Sequence, residues 1–483
     1  MKKSLAGLLL LMFVATGSLT QSAPTKQQPP AAQAVAADFP EINSYHPREA
    51  FPRRRLALAR KIGDATAIIL AAKEPAAYVP FRQNNTFFYF TGLDTPRAVL
   101  MVRGGENPRS VLFLPEVSER QIRSEGPRLT TRLGNVKELT GMDEVRPLEQ
   151  LYAMFLPGRE SIVTERTVFT MFAPEELGAA SRDRLVEAQS EQFADPWDGR
   201  ASREQQFVSK LRTQFPAVTV RDLTPIVDEM RWVKDDAEIR AIRDNGRIAA
   251  EGIAEAIRAT RPGLCEQELA DVARYVWARR GAQADAYFPI VASAQNSLVW
   301  HYHSNKRRIQ PNDLVLIDYA PDFEYIDTDI TRVWPASGRF SDEQTRYYNV
   351  VLEAHRAMID AMKPGVTIKQ IGDIGKAAYA KHGLEKAWKG PGHFVGMSTH
   401  DPGPYERPLV PGVVFNVEPL LDLPDKGYHL RLEDTVLVTA NGYEILTMTG
   451  LPWDLESIYK MRDAGSKLNL PPLSNGATRV NCP

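Results

Sequence analysis

Short apolar runs alternate with amphipathic segments through the part of the chain that follows residue 44. Three of the runs have the length and the branched side chains of buried strands, at residues 67–70, 98–102 and 111–114. Residues 204–214 carry apolar positions at helical spacing and stop before Pro216. This alternation predicts an amino-terminal α/β domain over residues 45–222.

The second half of the chain contains an internal repeat. Residues 261–281 align without a gap on residues 363–383, and both copies begin at Pro-Gly and end at Gly. The apolar positions between these limits have helical spacing, so the repeat predicts two helical hairpins from a duplicated half-domain. We expect a pseudo-twofold domain over residues 223–463 with a central site between its halves. Chance similarity between amphipathic helices is the alternative.

Both ends of the chain are expected to lie outside the folded domains. Two lysines precede an apolar run over residues 5–19, which is typical of a secretory signal and short for a membrane span of roughly 20 residues. We predict a signal peptide over residues 1–23, a flexible spacer over 24–44 and a polar tail over 464–483. The protein should therefore be exported, to the periplasm or out of the cell, and an uncleaved anchor is the alternative.

The net charge bears on the possible partners of the chain, and the cysteine count bears on its disulfide bonds. The 59 basic and 60 acidic residues give a net charge of −1, so nothing favours nucleic acid or an anionic membrane as a partner. Two cysteines are too few for a disulfide framework in a chain of this length. Because Cys265 lies in a helical segment and Cys482 in the polar tail, we expect no bridge between them.

Carboxylates stand at the ends of predicted strands in the second half. Asp318 ends an apolar run, and Asp329 follows it across a turn. Glu418 ends a second run, and Glu433 leads into a third. A charge on a central strand is costly to bury unless it is paired or bound to a metal. Together with His393, these side chains form an oxygen-rich donor set that suits Mn²⁺-like ions. For the two aspartates alone, solvated turn residues are the alternative.

From about residue 82 to residue 447, the chain resembles the aminopeptidase P and prolidase family of pita-bread metallopeptidases. The run Arg-Gln-Asn-Asn-Thr-Phe-Phe-Tyr-Phe-Thr-Gly at 82–92 is similar to the amino-domain signature of aminopeptidase P. Residues 227–234 resemble the family's domain junction. The Asp-Ile-Thr-Arg run at 329–332 and the gap between His393 and His400 also match.

The resemblance implies a fold and a set of metal ligands. The fold is an amino-terminal α/β domain followed by a pseudo-twofold pita-bread (creatinase/aminopeptidase) domain. The ligands are Asp318, Asp329, His393, Glu418 and Glu433. They would hold two divalent ions, for which Mn²⁺ is expected and Co²⁺ or Zn²⁺ are alternatives. Asp329 and Glu433 would bridge the ions, and a water shared by the two ions would attack the peptide bond.

The resemblance also implies roles for the remaining site residues. Glu418 would act as the general base, and His301 and His400 would bind the substrate carbonyl or stabilise the oxyanion. Arg431 stands two residues before Glu433, and on one strand the two would point the same way. Arg431 would therefore fix Glu433 or hold a bridging carboxylate. A structural role is the alternative for His301 and Arg431.

The activity implied is that of an Xaa-Pro aminopeptidase acting on peptide substrates. The alternatives are a prolidase, a methionine aminopeptidase, a non-catalytic peptide-binding pita-bread protein and a metal-free amidinohydrolase. The large amino domain and the export signal argue against the methionine aminopeptidase, and the complete ligand set argues against the last two. No stable membrane insertion is expected after signal cleavage, and the oligomeric state, including a homo-oligomer, is left open.

Four positions depart from the family pattern. Lys389 stands where many members have a histidine, and Asp422 where aminopeptidase P often has a tyrosine. Leu420 replaces a glycine of the family motif, and Phe88 stands where a tryptophan is common. We expect these positions to line the substrate side of the site and to affect the peptide preference. The remaining histidines should lie on surfaces or in packing, namely His46, His303, His355 and His382.

Overall fold

The computed structural model describes residues 39–76, 78–156, 167–178, 181–468 and 482. The predicted signal peptide lies outside the described residues, as do the spacer up to residue 38 and most of the predicted tail. Among the residues that the structure describes, no helix is long and apolar enough to cross a membrane.

The amino-terminal domain is a six-stranded sheet with helices around it. Its strands are β1 (Thr66–Leu70), β2 (Val99–Arg103), β3 (Arg109–Leu114), β4 (Glu144–Pro147), β5 (Thr167–Thr170) and β6 (Thr219–Asp222). Its helices are α1 (Ala50–Ile62), α2 (Asn85–Thr91), α3 (Glu119–Glu125), α4 (Val136–Thr140), α5 (Gln150–Ala153), α6 (Arg182–Ala194) and α7 (Arg203–Gln214).

The strand order in this sheet is β4-β3-β2-β1-β5-β6. β1, β2 and β3 form an antiparallel meander, and the outer strands pair in parallel. The three predicted apolar runs fall on β1, β2 and β3, and the predicted helix over 204–214 is α7. The predicted α/β character of this domain is confirmed.

The second domain contains the remaining elements. Its helices are α8 (Thr224–Trp232), α9 (Asp236–Ala259), α10 (Glu266–Arg279), α11 (Asp342–Asp360), α12 (Ile368–Lys381) and α13 (Leu455–Asp463). Its strands are β7 (Ala284–Asp285), β8 (Ile290–Ser293), β9 (Leu314–Asp318), β10 (Pro321–Asp322), β11 (Ile330–Pro335), β12 (Gly392–Phe394), β13 (Val414–Val417), β14 (Leu420–Leu423), β15 (Tyr428–Arg431), β16 (Glu433–Thr439) and β17 (Gly442–Ile445).

The central sheet of this domain has the predicted pseudo-twofold symmetry. Its order is β12-β13-β16-β11-β9-β8, and β17 pairs with residues 436–439 of β16, beyond the two residues that pair with β11. The first half supplies β8, β9 and β11, the second half supplies β12, β13 and β16, and the halves meet where β11 pairs antiparallel with β16. The hairpins α9–α10 and α11–α12 are the two copies of the sequence repeat.

The two Pro-Gly turns of the repeat adopt the same structure. Gly263 has a φ of 94° and Gly365 a φ of 90°, a region that residues with a side chain rarely occupy. The Gly263 N–H donates to the Ile309 carbonyl at 2.8 Å, and the Gly365 N–H donates to the Leu409 carbonyl at 2.9 Å. The repeat therefore reflects duplicated structure, and chance similarity is excluded.

The carboxyl end of the chain returns to the catalytic domain, and the expectation of two unbridged cysteines was wrong. Cys265, just before α10, forms a disulfide with Cys482 across a sequence separation of 217. The Ser466 hydroxyl and the backbone amides of Lys467 and Leu468 donate to one oxygen of Glu255 on α9. These contacts hold residues 466–468 against α9, a proximity that sequence distance does not reveal.

The four histidines without a predicted role lie where expected. His46 and His355 are buried in packing, and His303 and His382 are exposed.

Candidate metal centre

Strand register brings the predicted ligands to the middle of the central sheet. Thr331, the second residue of β11, pairs with Asp318 at the end of β9 and with Glu433 at the start of β16. Glu418 directly follows β13, and His393 is the middle residue of β12. Both halves of the pseudo-twofold domain therefore contribute side chains to one place.

Three donor groups meet in a tight cluster. One ligand atom from each of Asp329, His393 and Glu433 lies within 4.8 Å of the others. The His393 Nε2 is 3.4 Å from Asp329 Oδ2. All three side chains are buried. Two carboxylates and an imidazole at this spacing can share a cation.

Tyr287 links the two aspartates. Its hydroxyl lies 2.6 Å from Asp318 Oδ1 and 2.5 Å from Asp329 Oδ1. Burial, followed by the charges of these aspartates, raises the pKa of Tyr287 well above its usual range, so the phenol stays protonated. Sequence reasoning missed Tyr287, because it lies in a loop between β7 and β8 that carries no motif in a single sequence.

Arg431 joins the remaining two carboxylates, and its predicted contact with Glu433 was wrong. One guanidinium nitrogen lies 2.8 Å from Asp318 Oδ2, and another lies 3.0 Å from Glu418 Oε1. The alternation argument failed because the strand breaks at residue 432. Arg431 ends β15, where it pairs with Leu420 of β14, whereas Glu433 begins β16.

Glu433 is held by polar side chains of neighbouring strands. The Thr331 hydroxyl donates to Glu433 Oε2, and the Asn416 amide donates to Oε1. Thr435 supports Asp329, because its hydroxyl accepts from the Asp329 N–H at 2.9 Å. These hydrogen bonds fix the orientation of the carboxylates before any ion binds.

The electrostatics of the cluster indicate a cation site. Burial raises the pKa of Asp318 to about 8; Arg431 opposes this shift and Asp329 adds to it. Burial, together with the neighbouring carboxylates, raises the pKa of Glu433 well above its usual range. The carboxylates outnumber the nearby arginine, so their negative charge calls for divalent cations.

The charged forms of His393 and Asp329 stabilise one another. Burial would lower the pKa of His393, but the hydrogen bond and charge of Asp329 raise it to about 9. Burial would raise the pKa of Asp329, but the same contact lowers it. A positive charge beside Asp329 is thus favourable, as expected for a metal ligand. The donor set of four carboxylates and one imidazole fits two hard divalent ions.

The two other histidines lie on the solvent side of the cluster. The His400 ring packs on the His393 ring with 3.9 Å between centroids, and His400 Nδ1 is 3.4 Å from Asp183 Oδ2. His301 is exposed and lies beside the ring of Phe288. Burial, followed by the charges of Arg431 and His400, lowers the pKa of His301, which places it within electrostatic reach of the cluster.

Three of the positions that depart from the family pattern occupy different surroundings. Phe88 was predicted to line the substrate side, and this was wrong. It is buried on α2 and stacks on Tyr325 with 3.6 Å between ring centroids, because every side chain of α2 packs inward. Lys389 is exposed, and Asp422 accepts from Trp300 Nε1 at 3.0 Å.

A buried charge network joins the amino-terminal domain to the His400 loop. Arg231 on α8 donates to both oxygens of Glu176, at 3.0 and 2.9 Å, and to Asp401 at 2.5 Å. Arg182 also donates to Glu176, and the Ser398 hydroxyl donates to it at 2.6 Å. Sequence reasoning missed this network, because its members are scattered over 226 positions. Arg231 stands in the domain junction, and Ser398 and Asp401 stand in or beside the His393–His400 motif, but neither motif indicates their partners.

Comparisons with known proteins agree with both domains. The family model for metallopeptidase family M24 matches residues 240–440, and the model for the aminopeptidase P N-terminal domain matches residues 51–163. The chain is 29% identical to an Xaa-Pro aminopeptidase of Escherichia coli strain K12 over 460 residues, which cover 85% of this chain and 97% of that protein.

Two further similarities concern a dipeptidase and a solved structure. The chain is 30% identical to an Xaa-Pro dipeptidase of Pyrococcus horikoshii over 248 residues, covering 50% of this chain and 70% of the relative. A zinc-substituted E. coli aminopeptidase P in complex with product superposes with a TM-score of 0.71 at 27% identity. This match covers 88% of this chain and all of that structure's chain.

Proposed function

This chain belongs to metallopeptidase family M24, in its aminopeptidase P group, and on that premise we propose that it releases the N-terminal residue from peptides with proline in second position. It is a hydrolase with the pita-bread fold. The observation that carries the proposal is the convergence of four carboxylates and His393 from both halves of the central sheet, in a chain that also has the aminopeptidase P N-terminal domain.

Coverage favours an aminopeptidase over a dipeptidase. The similarity to the E. coli Xaa-Pro aminopeptidase extends over nearly all of that protein, whereas the similarity to the Pyrococcus dipeptidase covers half of this chain. A prolidase activity remains the second candidate, because both relatives act at Xaa-Pro bonds by their names.

The proposed metal ligands are Asp318, Asp329, His393, Glu418 and Glu433, with Mn²⁺ as the expected ion. Asp329 and Glu433 would contribute to both ion sites, Asp318 to one of them, and His393 and Glu418 to the other. When bound, two such ions supply an activated water and polarise the scissile carbonyl.

Glu418 moves the proton that the reaction requires. Arg431 holds its Oε1 at 3.0 Å, and the side chain remains partly exposed. An Xaa-Pro bond has no amide hydrogen, so its nitrogen must gain a proton to leave as a secondary amine. Glu418 accepts the proton from the attacking water and donates it to that nitrogen.

His301 and His400 act on the substrate carbonyl. Both lie on the solvent side of the donor set, where a peptide must approach, and His400 packs on the ligand His393. Donation from their ring nitrogens would stabilise the charge that develops on the carbonyl oxygen.

We also propose export. Two lysines followed by an apolar run at residues 5–19 support a secretory signal. The Cys265–Cys482 disulfide supports an oxidising compartment, because such bonds rarely persist in the cytosol.

A peptide panel on the Mn²⁺-loaded chain tests the activity. Xaa-Pro-Yaa peptides should yield free Xaa and Pro-Yaa by mass spectrometry, faster than Xaa-Pro or Met-Ala-Yaa, and Glu418→Gln should remove the activity. Preferred cleavage of Xaa-Pro would identify a dipeptidase, and preferred cleavage of Met-Ala-Yaa a methionine aminopeptidase. Binding of peptides without cleavage by the metal-loaded chain would refute an enzymatic role.

A further inference from the structure

We infer that Asp183, a residue of the amino-terminal domain, is a positioning residue for His400 in the active site. The inference rests on the proposed function, because it assigns Asp183 a role in the step that His400 serves. It gives the amino-terminal domain a part in the chemistry of the site.

Two consecutive residues at the start of α6 contact His400. The Arg182 backbone N–H donates to the His400 carbonyl at 3.2 Å. The Asp183 Oδ2 lies 3.4 Å from His400 Nδ1. One contact therefore holds the main chain of His400, and the other holds its ring. The ring is also packed against His393, with 3.9 Å between centroids.

Buried charges anchor this start of α6. The Arg182 side chain is buried and donates to Glu176 and, at 3.0 Å, to Asp228. Glu176 is buried too, and it accepts from Arg231 and from the Ser398 hydroxyl. A buried arginine between carboxylates is strongly held, so the position of Asp183 is set by packing rather than by solvent.

The same network fixes the loop on both sides of His400. Ser398 binds Glu176 at 2.6 Å, and Asp401 accepts from Arg231 at 2.5 Å and from Lys234 at 3.1 Å. His400 thus lies between Ser398 and Asp401, whose side chains are hydrogen-bonded to residues at the domain interface. The amino-terminal domain supplies Glu176, Arg182 and Asp183 to this arrangement.

The Asp183 contact selects one form of the imidazole. A carboxylate only accepts hydrogen bonds, so the hydrogen of His400 must be on Nδ1. Nε2 is then the nitrogen that faces a substrate, and it donates to the carbonyl oxygen when the ring carries a hydrogen on both nitrogens. The hydrogen bond from His400 lowers the pKa of Asp183, with burial opposing it, so the carboxylate stays charged near neutral pH. Fixing tautomer and orientation in this way is a common use of a carboxylate behind a histidine.

Kinetics of three variants test the inference. Asp183→Ala removes the acceptor, Asp183→Asn keeps an acceptor oxygen without the charge, and Glu191→Ala removes an exposed carboxylate further along α6. We expect Asp183→Ala to lower kcat on Xaa-Pro-Yaa about fivefold to tenfold, in the range for one ordinary hydrogen bond, because the contact is long and the Asp183 side chain is largely exposed. KM should stay within about twofold, because His400 acts mainly in the transition state. The kcat of Asp183→Asn should lie between those of Asp183→Ala and the parent chain, and the kcat of Glu191→Ala should equal that of the parent chain.

A double-mutant cycle separates positioning from a structural effect. Asp183→Ala in a His400→Ala background should cause no further loss, because the residue has nothing left to orient. An equal loss in both backgrounds, or an unchanged kcat for Asp183→Ala, would overturn the inference. The midpoint of thermal unfolding should be unchanged in Asp183→Ala, since its side chain is largely exposed.

Nuclear magnetic resonance of the metal-free chain with ¹⁵N-labelled histidine gives a readout independent of activity. His400 is assigned from His400→Ala, and its hydrogen should be on Nδ1 in the parent chain and be redistributed in Asp183→Ala. A neutral ring in the parent chain with its hydrogen on Nε2 and none on Nδ1 would refute the contact. If the parent chain cleaves none of the peptides, the proposed function fails, while this measurement still decides whether Asp183 orients His400.

Discussion

The Tyr287 hydroxyl contacts Asp318 Oδ1 at 2.6 Å and Asp329 Oδ1 at 2.5 Å, so a single phenol orients the carboxylates of two neighbouring strands. A phenol carries one hydrogen and can donate to only one of them at a time. The two Oδ1 oxygens then lie close together with a single hydrogen between them, and a bound cation would relieve their repulsion.

Replacing Tyr287 with phenylalanine should weaken metal binding. The ring still packs, but the proposed ligands Asp318 and Asp329 lose the group that orients them. We expect affinity for Mn²⁺ to fall about 10-fold to 100-fold, as for other partners of metal ligands. Calorimetric titration of chelator-treated protein measures this. Tyr319→Phe is the matched control, because its hydroxyl binds Asp285 instead. Equal affinities for the parent and Tyr287→Phe would contradict the assignment.

Removing one carboxylate charge should disable the metal centre while the fold survives. Chelation should abolish hydrolysis, and added Mn²⁺ or Co²⁺ should restore it. Asp329→Asn removes the charge beside His393 and should lower kcat/KM at least about 100-fold, since a bridging ligand is lost. Metal analysis should show fewer ions per chain, and thermal unfolding should still be cooperative. Full activity in this variant would rule out a two-metal mechanism.

The fold was predictable because duplication leaves a trace in sequence. The Pro-Gly turns at Gly263 and Gly365 need a conformation that glycine accepts readily, so both copies retain the residue and the repeat can be aligned. The positions of the carboxylates were predictable for a similar reason, since charges at the ends of apolar strands stand out against their surroundings.

The contacts between elements were not predictable. Arg431 and Glu433 are two residues apart, yet a strand break at residue 432 sends them to different partners. Phe88 packs on Tyr325 of the other domain, and no local pattern in α2 indicates that surface. Such contacts depend on how separate elements pack together. No local pattern in a single sequence indicates that packing.

His46 should make stability depend on pH below neutrality. Its Nε2 donates to the Glu324 carbonyl at 2.9 Å across the domain interface, and its buried Nδ1 has no partner in the described part of the chain. Burial therefore lowers the pKa of His46 to about 4, from an ordinary value near 6.5. Because the unfolded chain binds the proton more readily, the stabilisation is present above pH 6.5 and is lost as the pH falls towards 4.

The size of this effect is at most about 3 kcal/mol, from the two pKa values. Thermal unfolding at several pH values between about 7.5 and 4.5 measures it. His46→Gln retains a donor for the Glu324 carbonyl and does not ionise in this range, so its unfolding midpoint should fall less steeply with pH. Parallel curves for the variant and the parent would contradict the role of His46, whatever their offset at neutral pH.

The Cys265–Cys482 disulfide should leave no free thiol for a thiol reagent to label, and it should stabilise the chain. Exported protein treated with a thiol reagent should gain no label before reduction and two labels after it, by intact mass. Cys482→Ser should lower the free energy of unfolding by about 2–4 kcal/mol, the usual range for closing a long loop. The double variant Cys265→Ser/Cys482→Ser should lose no more than the single one. Two labels on unreduced exported protein would show that the bridge does not form.

Lys389 and Asp422 should tune the preference for peptides with a free carboxyl terminus. Asp422 follows the proposed ligand Glu418 by four residues and is hydrogen-bonded to His429 at 2.8 Å. Burial raises the pKa of Asp422, but contacts with His429 and Trp300 and the charge of Lys389 lower it overall. Lys389 and Asp422 therefore place opposite charges near one another beside the cleft. Lys389 should attract the free carboxylate of a peptide, and Asp422 should repel it.

Kinetics with paired tripeptides separate the two charges. Lys389→Met should raise KM for peptides with a free carboxylate about twofold to fivefold and spare the same peptides when amidated, the scale expected for one partly exposed charge. Asp422→Asn should lower KM for the free acids, and the double variant should lie near the parent chain. The differences should shrink at high salt, because exposed charges are screened. Equal effects on acids and amides, or none, would refute carboxylate recognition and leave Lys389 as a surface residue.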